Sequence, residues 1–283
     1  MHILVTGSQG YIGYPLVRLL HEQGHTVTGL DIGYYADGTL FESPWPPGVR
    51  QVWKDIRAIN RDDLTGFDAI CHLAELSNDP LGQHNEANTY AINHAGTVRL
   101  ARLAKEMGIE RFVYTSSCSV YGLQNGEAFK TEVSPTHPLT AYARCKVNVE
   151  TDLSALADDT FSPTFLRNAT AYGPSPRQRF DIVLNNLSGY AYTTGTINMR
   201  SDGTPWRPLV HIADIAQAIA CTLEDGARQM AALYQTIDLT PEIFSFRAFT
   251  RLKQLKYLLD TGQLDGRFFW REGVAPDAAL LST

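Results

Sequence analysis

Short apolar runs rich in β-branched residues alternate with segments of helical periodicity through the amino-terminal part of the chain. The runs predict strands at residues 2–6, 26–31, 51–53, 68–73, 111–116 and 163–167. The helical periods predict helices over residues 11–23, 86–107 and 139–157. Strands that alternate with helices indicate a parallel sheet covered on both faces, and right-handed crossovers favour a doubly wound topology. The predicted fold class is therefore α/β, with a doubly wound parallel (Rossmann-type) sheet and a smaller carboxyl-terminal lobe.

This regular pattern ends after about residue 172. The segment Gly173-Pro174-Ser175-Pro176 interrupts it, and the later elements are short. We predict that residues 1–172 form the sheet domain and that residues 173–283 form a smaller, less regular lobe. The two parts can be interleaved along the chain.

Composition narrows the class of protein further. The 283 residues are 44% apolar and carry a net charge of −6, which argues against a nucleic-acid surface. The sequence contains no apolar run long enough to cross a membrane, and it opens on a core strand, so we expect no signal peptide. Four widely spaced cysteines suit a reducing compartment, and they indicate neither a disulfide framework nor a metal site. We therefore expect a cytoplasmic protein.

Three glycines at positions 7, 10 and 13 follow the first predicted strand directly. In such a loop the first glycine makes a tight turn, the second lets the backbone approach a phosphate, and the third lets the helix pack close to the strand. The N–H groups at the start of the helix then favour an anion. Spaced glycines are common in loops, but a strand before them and an amphipathic helix after them indicate a diphosphate site.

An acidic residue ends the second predicted strand, 18 residues after Gly13. A carboxylate at this place can accept both ribose hydroxyls of an adenosine and would repel a 2′-phosphate, so Asp31 favours NAD over NADP. The alternative is an aspartate that initiates a turn before Ile32-Gly33. Asp55-Ile56, after the third strand, could reach the adenine amino group or could be an ordinary strand end.

Tyr142 and Lys146 lie four residues apart and therefore on one face of a predicted helix. A phenol is a poor base at neutral pH, but a neighbouring ammonium and a nicotinium cation favour its phenolate. Lys146 could also bind the nicotinamide ribose. The alternative is that both are exposed helix residues that happen to lie four apart.

The hydroxyl-rich run 115–119 follows the fifth predicted strand. Ligands bind at this end of the strands in such sheets, although a serine-rich loop can also cap its own backbone.

Taken in order along the chain, these motifs resemble the extended short-chain dehydrogenase/reductase family, and within it the nucleotide-sugar epimerase/dehydratase branch. The further motifs that carry the resemblance are His72-Leu73-Ala74, Ala91-Ile92-Asn93-His94-Ala95-Gly96-Thr97, Ser116-Ser117-Cys118-Ser119-Val120-Tyr121-Gly122, Leu166-Arg167-Asn168-Ala169-Thr170-Ala171-Tyr172-Gly173-Pro174 and Trp206-Arg207-Pro208-Leu209-Val210-His211. The resemblance covers roughly residues 1–222, with a further helix near 249–270.

The resemblance implies a role for each matching residue. Tyr142 would be the acid/base, Lys146 would orient the ribose and assist Tyr142, and Ser117 would hydrogen-bond the sugar hydroxyl. The residues expected to bind NAD are Gly7, Gln9, Gly10, Tyr11, Ile12, Gly13, Asp31, Asp55, Ile56, Leu73, Ala74, Asn93, Thr115, Tyr142, Lys146 and Asn168. The residues expected to bind substrate are Ser77, Ser117, Cys118, Ser119, Asn185, Asn186 and Arg207.

Some of these expectations have simpler alternatives. Arg207 would neutralise the substrate diphosphate, because a planar guanidinium suits that group, but it could also be a surface arginine. Asn185 and Asn186 would face the nucleotide or serve the fold alone. From Glu224 to about Ala248 the chain is shorter than the family's usual substrate lobe.

Cys118 and Ser119 depart from the pattern of the dehydratases of this branch, which carry an acid at one or both positions. A thiol and a hydroxyl are poor proton donors at neutral pH, which disfavours loss of water from the sugar. A variant mechanism would need Cys118 as a proton carrier, or Glu75 or Glu132 reaching into the site. Otherwise Cys118 is a small buried filler.

The resemblance therefore implies an NAD-dependent nucleotide-sugar 4-epimerase, which oxidises sugar C4 transiently to a 4-keto intermediate. The alternatives are a dehydratase or ketoreductase of the same family and, in another class, a non-catalytic NAD-binding protein. The expected partner is a nucleotide-diphosphate sugar, with no nucleic acid and no membrane. The helices at 86–107 and 139–157 resemble the pair through which this family dimerises, so we expect a homodimer.

Overall fold

A computed structural model describes residues 1–77, 85–122, 129–197, 199, 208–223 and 257–263. The chain divides into two compact units, Met1–Asp225 and Gly226–Thr283. The first unit contains every strand given below. In the second unit the described residues form a helical turn over 257–260.

Six parallel strands form the main sheet of the first unit. They are β1 (His2–Thr6), β2 (Thr26–Asp31), β3 (Arg50–Trp53), β4 (Ala69–His72), β5 (Arg111–Ser117) and β6 (Ser162–Asn168). Their order is β3-β2-β1-β4-β5-β6, so the winding direction reverses between β1 and β4. Two further strands, β7 (Thr170–Tyr172) and β8 (Leu209–His211), form a separate parallel pair. The doubly wound parallel sheet confirms the predicted fold class.

Helices connect these strands and cover both faces of the sheet. They are α1 (Gly13–Glu22), α2 (Glu86–Thr89), α3 (Thr97–Glu106), α4 (Ala141–Ser154), α5 (Val183–Thr194) and α6 (Ile212–Leu223). A π-helical segment, Tyr90–Gly96, joins α2 to α3 without a break. The sequence predicted one helix over 86–107, and the structure shows that this helix changes its hydrogen-bonding pattern in the middle. In the described part of the chain, none of the helices is long and apolar enough to span a membrane.

Alternation along β1 assigns its side chains to two hydrophobic clusters, one on each face of the sheet. Leu4 packs in the cluster that includes Leu100 of α3 and Val149 of α4. Ile3 packs in the opposite cluster, which includes residues of α1 and Ile219 of α6. Because both faces are covered, the carboxyl edge of the sheet is where ligands can reach strand ends.

Helix α6 belongs to the segment that the sequence assigns to the smaller lobe, yet it packs beside α1 within the first compact unit. Residues on both sides of the predicted boundary therefore contribute to one hydrophobic core. The division at residue 172 and the substrate-binding role of residues 173–283 stay predictions.

Candidate active site

The glycine loop makes a close crossing between β1 and β4. Gly7 has a φ of +71°, a conformation that favours glycine, and a β-carbon there would lie 2.8 Å from the backbone of Leu73 and Ala74. A β-carbon on Gly13 would collide with the carbonyl group of Gly7. A β-carbon on Gly10 would meet, among the described residues, only the Gly7 oxygen at 3.1 Å. The loop is therefore tight inside and open on the side of Gly10, which fits a bound diphosphate.

Asp31 serves the turn and the loop together. Its Oδ1 accepts a hydrogen bond of 2.7 Å from the N–H of Gly33, and its Oδ2 accepts one of 3.0 Å from the N–H of Gln9. The turn that the sequence offered as an alternative is thus present. The same carboxylate also touches the glycine loop, which is where the ribose site was predicted.

Asp55 and Ile56 point to different surroundings. The Asp55 carboxylate accepts from the backbone N–H of Arg57 at 2.8 Å and from its guanidinium at 2.6 Å. The hydrogen bond from the Arg57 side chain holds the pKa of Asp55 below its usual value. Ile56 is buried in the hydrophobic cluster beside α3. Contact of either residue with the adenine stays a prediction.

Buried hydroxyls fix the chain where β4 ends. Oγ1 of Thr6 accepts hydrogen bonds from the N–H groups of Leu73 at 3.2 Å and Ala74 at 3.3 Å. Oγ1 of Thr115 donates to the carbonyl of His72 at 3.1 Å. Leu73 and Ala74, two of the residues expected to bind NAD, are therefore fixed by β1, and the preceding residue His72 is fixed by β5.

His72 itself is fully buried between two threonines. Its ring nitrogens lie 2.6 Å from Oγ1 of Thr6 and 2.8 Å from Oγ1 of Thr97. Burial, and to a smaller extent the charge of Lys146, lowers the pKa of His72 to about 3. The imidazole is therefore neutral at physiological pH and connects β1, β4 and α3 through hydrogen bonds.

Asn93 projects from the π-helical segment toward the chain that follows β4. Its Oδ1 accepts from the N–H of Leu76 at 2.9 Å, and its Nδ2 donates to the carbonyl of Leu76 at 3.0 Å. The side-chain amide thus satisfies both backbone polar groups of Leu76, as a neighbouring strand would do. Asn93 holds the peptide that runs along the site, and its contact with the cofactor stays a prediction.

Helix α4 places Tyr142 and Lys146 one turn apart. Thr140 starts the helix by accepting a hydrogen bond of 3.1 Å from the N–H of Ala143. The Lys146 Nζ lies 5.2 Å from the centroid of the Tyr142 ring. Lys146 also donates to the carbonyl oxygen of Thr115 on β5, two residues before Ser117. The structure therefore brings Tyr142, Lys146 and the end of β5, which carries Ser117, to one edge of the sheet.

Ser117 is the last residue of β5, where it pairs in register with Asn168 of β6. Its Oγ accepts hydrogen bonds from the N–H of Ser119 at 3.2 Å and from the Ser119 hydroxyl at 3.0 Å. Because both bonds use lone pairs of Ser117, its own hydroxyl proton remains to donate to a ligand. Cys118, half-buried, begins the one-turn 3-10 helix Cys118–Tyr121 that Ser117 caps.

The predicted substrate residues meet the loop that follows β7. The Ser77 hydroxyl accepts a hydrogen bond of 3.1 Å from the Arg179 guanidinium. The amide of Asn185 donates to the Tyr11 hydroxyl at 3.0 Å and to the Arg179 carbonyl at 2.9 Å. Asn186 donates to the carbonyl of Phe180 at 2.8 Å. Asn185 therefore ties the glycine loop to this segment, and its contact with nucleotide stays a prediction.

Arg207, Glu132 and Glu75 are the other residues that the sequence singled out. Arg207 and the shortened region 224–248 lie outside the described residues. Glu132 is exposed, and its carbonyl accepts from Arg167 at 3.0 Å. Glu75 is buried, with a carboxylate that pairs with Lys146.

Two contacts of this site were not foreseen. The sequence did not predict the contact of Arg179 with Ser77. The only signal for it is the cationic run Arg177-Gln178-Arg179 itself. The sequence also did not predict the ion pair between Glu75 and Lys146, since nothing in the local pattern distinguishes Glu75 from a loop residue.

The fold and this site define a dinucleotide-dependent enzyme, with a diphosphate loop at the sheet's switch point and a tyrosine–lysine pair beside it. The chain belongs to the NAD dependent epimerase/dehydratase family, whose model matches residues 3–232. The resemblance found in the motifs is thus confirmed, and the cofactor is NAD.

Individual relatives place the chain among enzymes of nucleotide sugars. It is similar to the UDP-glucose 4-epimerase of Mycolicibacterium smegmatis, with 31% identity over 229 residues, which are 77% of this chain and 72% of the relative. It resembles MoeE5, solved in complex with UDP-glucose and NAD, with a TM-score of 0.67 and 30% identity over 78% of this chain and 71% of that one. It also resembles TunA, an NAD dependent NDP-hexosamine 5,6-dehydratase, with a TM-score of 0.70 and 25% identity over 79% and 72%.

Proposed function

We propose that this protein is a nucleotide-sugar 4-epimerase. The observation that carries the proposal is the Tyr142–Lys146 pair at the carboxyl edge of the sheet, next to a Cys118-Ser119 dipeptide that supplies no carboxylic acid. Epimerisation needs one group that removes and returns the proton of the C4 hydroxyl, whereas loss of water needs a further acid. The kinship with a UDP-glucose 4-epimerase and with a UDP-glucose-binding neighbour supports the same class of substrate.

Each residue of the site has a defined task in this reaction. NAD, when bound, would supply reversible hydride transfer, which takes a hydride from sugar C4 and returns it to the opposite face. Tyr142 removes the proton of the C4 hydroxyl and later gives it back, while the Lys146 ammonium favours the phenolate. Ser117 donates its hydroxyl proton to the sugar oxygen and thereby fixes that oxygen in reach of Tyr142.

The substrate's nucleotide would lie on the segments after β7. Arg179 and Ser77 form a polar contact there, and the Asp181 carboxylate holds the guanidinium in place at 2.7 Å. We propose that residues 173–283 form the substrate lobe, and that Arg207 neutralises the substrate diphosphate. Asn185 would then act by positioning Tyr11 and the backbone of Gly173.

A dehydratase is the second candidate, because TunA is a dehydratase of similar fold. The acidic residues of this chain argue against a dehydratase. Glu75, the nearest buried carboxylate to Lys146 in the described part, is paired within the protein rather than open to the site. Cys118 would have to carry the proton instead.

Mass spectrometry of the purified protein with UDP-, GDP-, CDP- and dTDP-hexoses tests the proposal. An epimerase converts one substrate into a product of unchanged mass and different retention, with no net change in NADH absorbance. A product lighter by one water would identify a dehydratase, and net NADH consumption would identify a reductase. Binding of NAD without binding of any sugar nucleotide would show a non-catalytic protein. The Tyr142→Phe variant serves as the inactive control.

We propose in addition that the protein is a homodimer. A groove of about 500 Å³ runs between α3 and α4, lined by His94, Val98, Arg102, Leu103 and Asp152 among others. His94 and Asp152 span it with a hydrogen bond of 2.7 Å. A second copy of these two helices would complete a four-helix bundle. Light scattering coupled to size-exclusion chromatography gives the oligomeric state directly.

A further inference from the structure

The buried carboxylate of Glu75 lies beside Lys146 and takes no direct part in the proposed epimerisation. Glu75 follows the backbone positions that line the cofactor crevice, and its side chain is 3% exposed. Its Oε1 accepts a hydrogen bond of 2.6 Å from the hydroxyl of Tyr114 on β5. Its Oε2 forms an ion pair with the Nζ of Lys146. A carboxylate buried this completely requires such partners, because an unpaired one would be strongly destabilising.

The ion pair with Glu75 also holds the Lys146 side chain in place. Its side chain is also 3% exposed, and its Nζ lies 4.5 Å from the centroid of the Tyr114 ring. An ammonium has three donors, of which one goes to Glu75 and one to the Thr115 carbonyl. The third direction leads to Tyr142, 5.2 Å away at its ring centroid. Glu75 and Thr115 therefore fix the direction in which Lys146 presents its remaining proton.

Within the described ranges, few charged groups surround the Glu75–Lys146 pair. Burial is the largest single effect on the pKa of Lys146 and lowers it, but the charges and hydrogen bonds of Glu75 and Tyr142 together outweigh burial and keep that pKa above its ordinary value. Burial raises the pKa of Glu75, and Lys146 and Tyr114 act against that rise. The titratable groups that face the pair are His72 on β4, Tyr114 on β5, and Tyr142 and Cys145 on α4. Beyond them, the charge of Arg179 acts on Tyr142 and that of Glu86 acts on Cys145.

Most of these neighbours are neutral at physiological pH. Burial brings the pKa of Cys145 to about 12 and raises that of Tyr114 well above its ordinary value. His72 is neutral because its pKa is lowered to about 3. Among the described residues in direct contact with Lys146, Glu75 is therefore the group whose negative charge can offset the ammonium.

We propose that Glu75 is a positioning residue that directs the Lys146 ammonium toward Tyr142 and offsets its positive charge, so that it sets the pH at which the phenol loses its proton. The inference rests on the proposed function in that Tyr142 is the acid/base. A carboxylate beside the ammonium weakens the attraction that a phenolate would feel, since opposite charges favour and like charges disfavour the ionised form. While Lys146 keeps its proton, removal of the Glu75 charge should therefore favour the phenolate.

Direct titration of the phenol tests this without any sugar. The chain has 13 tyrosines, so the signal of Tyr142 must be separated from the others. The phenolate absorbance of the NAD-loaded wild-type protein is therefore measured, and that of the NAD-loaded Tyr142→Phe protein is subtracted from it. The same difference is then taken in the Glu75→Gln background, where shape is kept and charge is removed. We expect the midpoint to move to lower pH in Glu75→Gln, and the acid limb of kcat/KM to move in the same direction. An unchanged midpoint, or one that moves to higher pH, in a folded Glu75→Gln protein would overturn the proposal.

Glu75→Asp is the matched variant, because it keeps the charge and shortens the side chain. We expect it to retain the wild-type midpoint while kcat falls, since the ammonium is less well directed. If Glu75→Gln does not fold, Glu75→Asp decides: a midpoint that moves to lower pH with the charge retained contradicts the proposal. Because no sugar is present, failure of the epimerase assignment would leave the midpoints as they are, and the two failures can be told apart.

Discussion

The carbonyl group of Gly7 occupies the place that a β-carbon on Gly13 would need. The loop and the first turn of α1 are therefore in contact through backbone alone. We predict that Gly13→Ala lowers the free energy of unfolding by about 2 kcal/mol or more, because the clash involves backbone that cannot rotate away. Urea unfolding measures this. Gly10→Ala is the control: it should leave stability nearly unchanged and weaken NAD binding, and equal destabilisation by both would contradict the structure.

Asp31 gives a prediction about the choice between the two nicotinamide dinucleotides. Asp31→Asn should weaken NAD binding by about tenfold and reduce the preference over NADP, because the charge that accepts ribose hydroxyls and repels a phosphate is lost. Calorimetric Kd values for both dinucleotides test it. Asp37→Asn makes the same charge change at an exposed position of the following loop and should leave both Kd values unchanged. Retention of the full preference by Asp31→Asn would refute the assignment.

The ion pair of Arg167 and Glu150 joins β6 to α4 inside the fold. The guanidinium contacts both carboxylate oxygens, at 2.6 and 3.1 Å, and the Ser116 hydroxyl donates to the same carboxylate. The side chains are 20% and 10% exposed. Arg167→Met should cost about 3 kcal/mol of stability because it leaves a buried carboxylate without its cation.

A matched surface pair shows whether burial is the cause. Arg18 and Glu22 are also paired, but their side chains are 50% and 62% exposed. Arg18→Met should cost less than about 1 kcal/mol, because solvent screens such pairs. Similar losses in the two variants would mean that the Arg167 pair is solvated in solution.

His72 predicts a dependence of stability on pH. The ordinary pKa of histidine is 6.5 and that of buried His72 is about 3, so between these values the unfolded chain binds one more proton than the folded one. Stability therefore falls as the pH falls, by about 1.4 kcal/mol per pH unit within that window and by about 2 kcal/mol between pH 6.5 and about pH 5. Urea unfolding of wild type and His72→Gln at about pH 7 and about pH 5 should show that the variant lacks this part of the loss. Equal losses would contradict a neutral buried His72.

Sequence patterns predict what is local or periodic. The six strands of the main sheet lie within one or two residues of their predicted bounds, because buried parallel strands are continuous apolar runs. Helices α5 and α6 follow the Gly-Pro interruption and were not predicted, although α6 supplies Ile215 and Ile219 to the core. Its burial depends on α1, a partner distant in sequence.

The site shows the same division. Gly7, Asp31, Tyr142 and Lys146 can be found because each follows a strand end or a helical spacing. The setting of Glu75 could not be found, because its neighbours come from β5 and α4, and only the assembled sheet brings the three together.

The π-helical segment between α2 and α3 has a consequence for how this region evolves. A π turn holds one more residue than an α turn, so the side chains before and after it are rotated relative to a continuous α-helix. Asn93 lies within it and binds the backbone of Leu76, while Leu100, beyond it, lies in the core. The helix can therefore direct Asn93 toward Leu76 and Leu100 toward the core, although these two directions do not match the spacing of a continuous α-helix. Deletion of a single residue in Tyr90–Gly96 would restore a uniform phase and would force the helix to give up one of these two contacts.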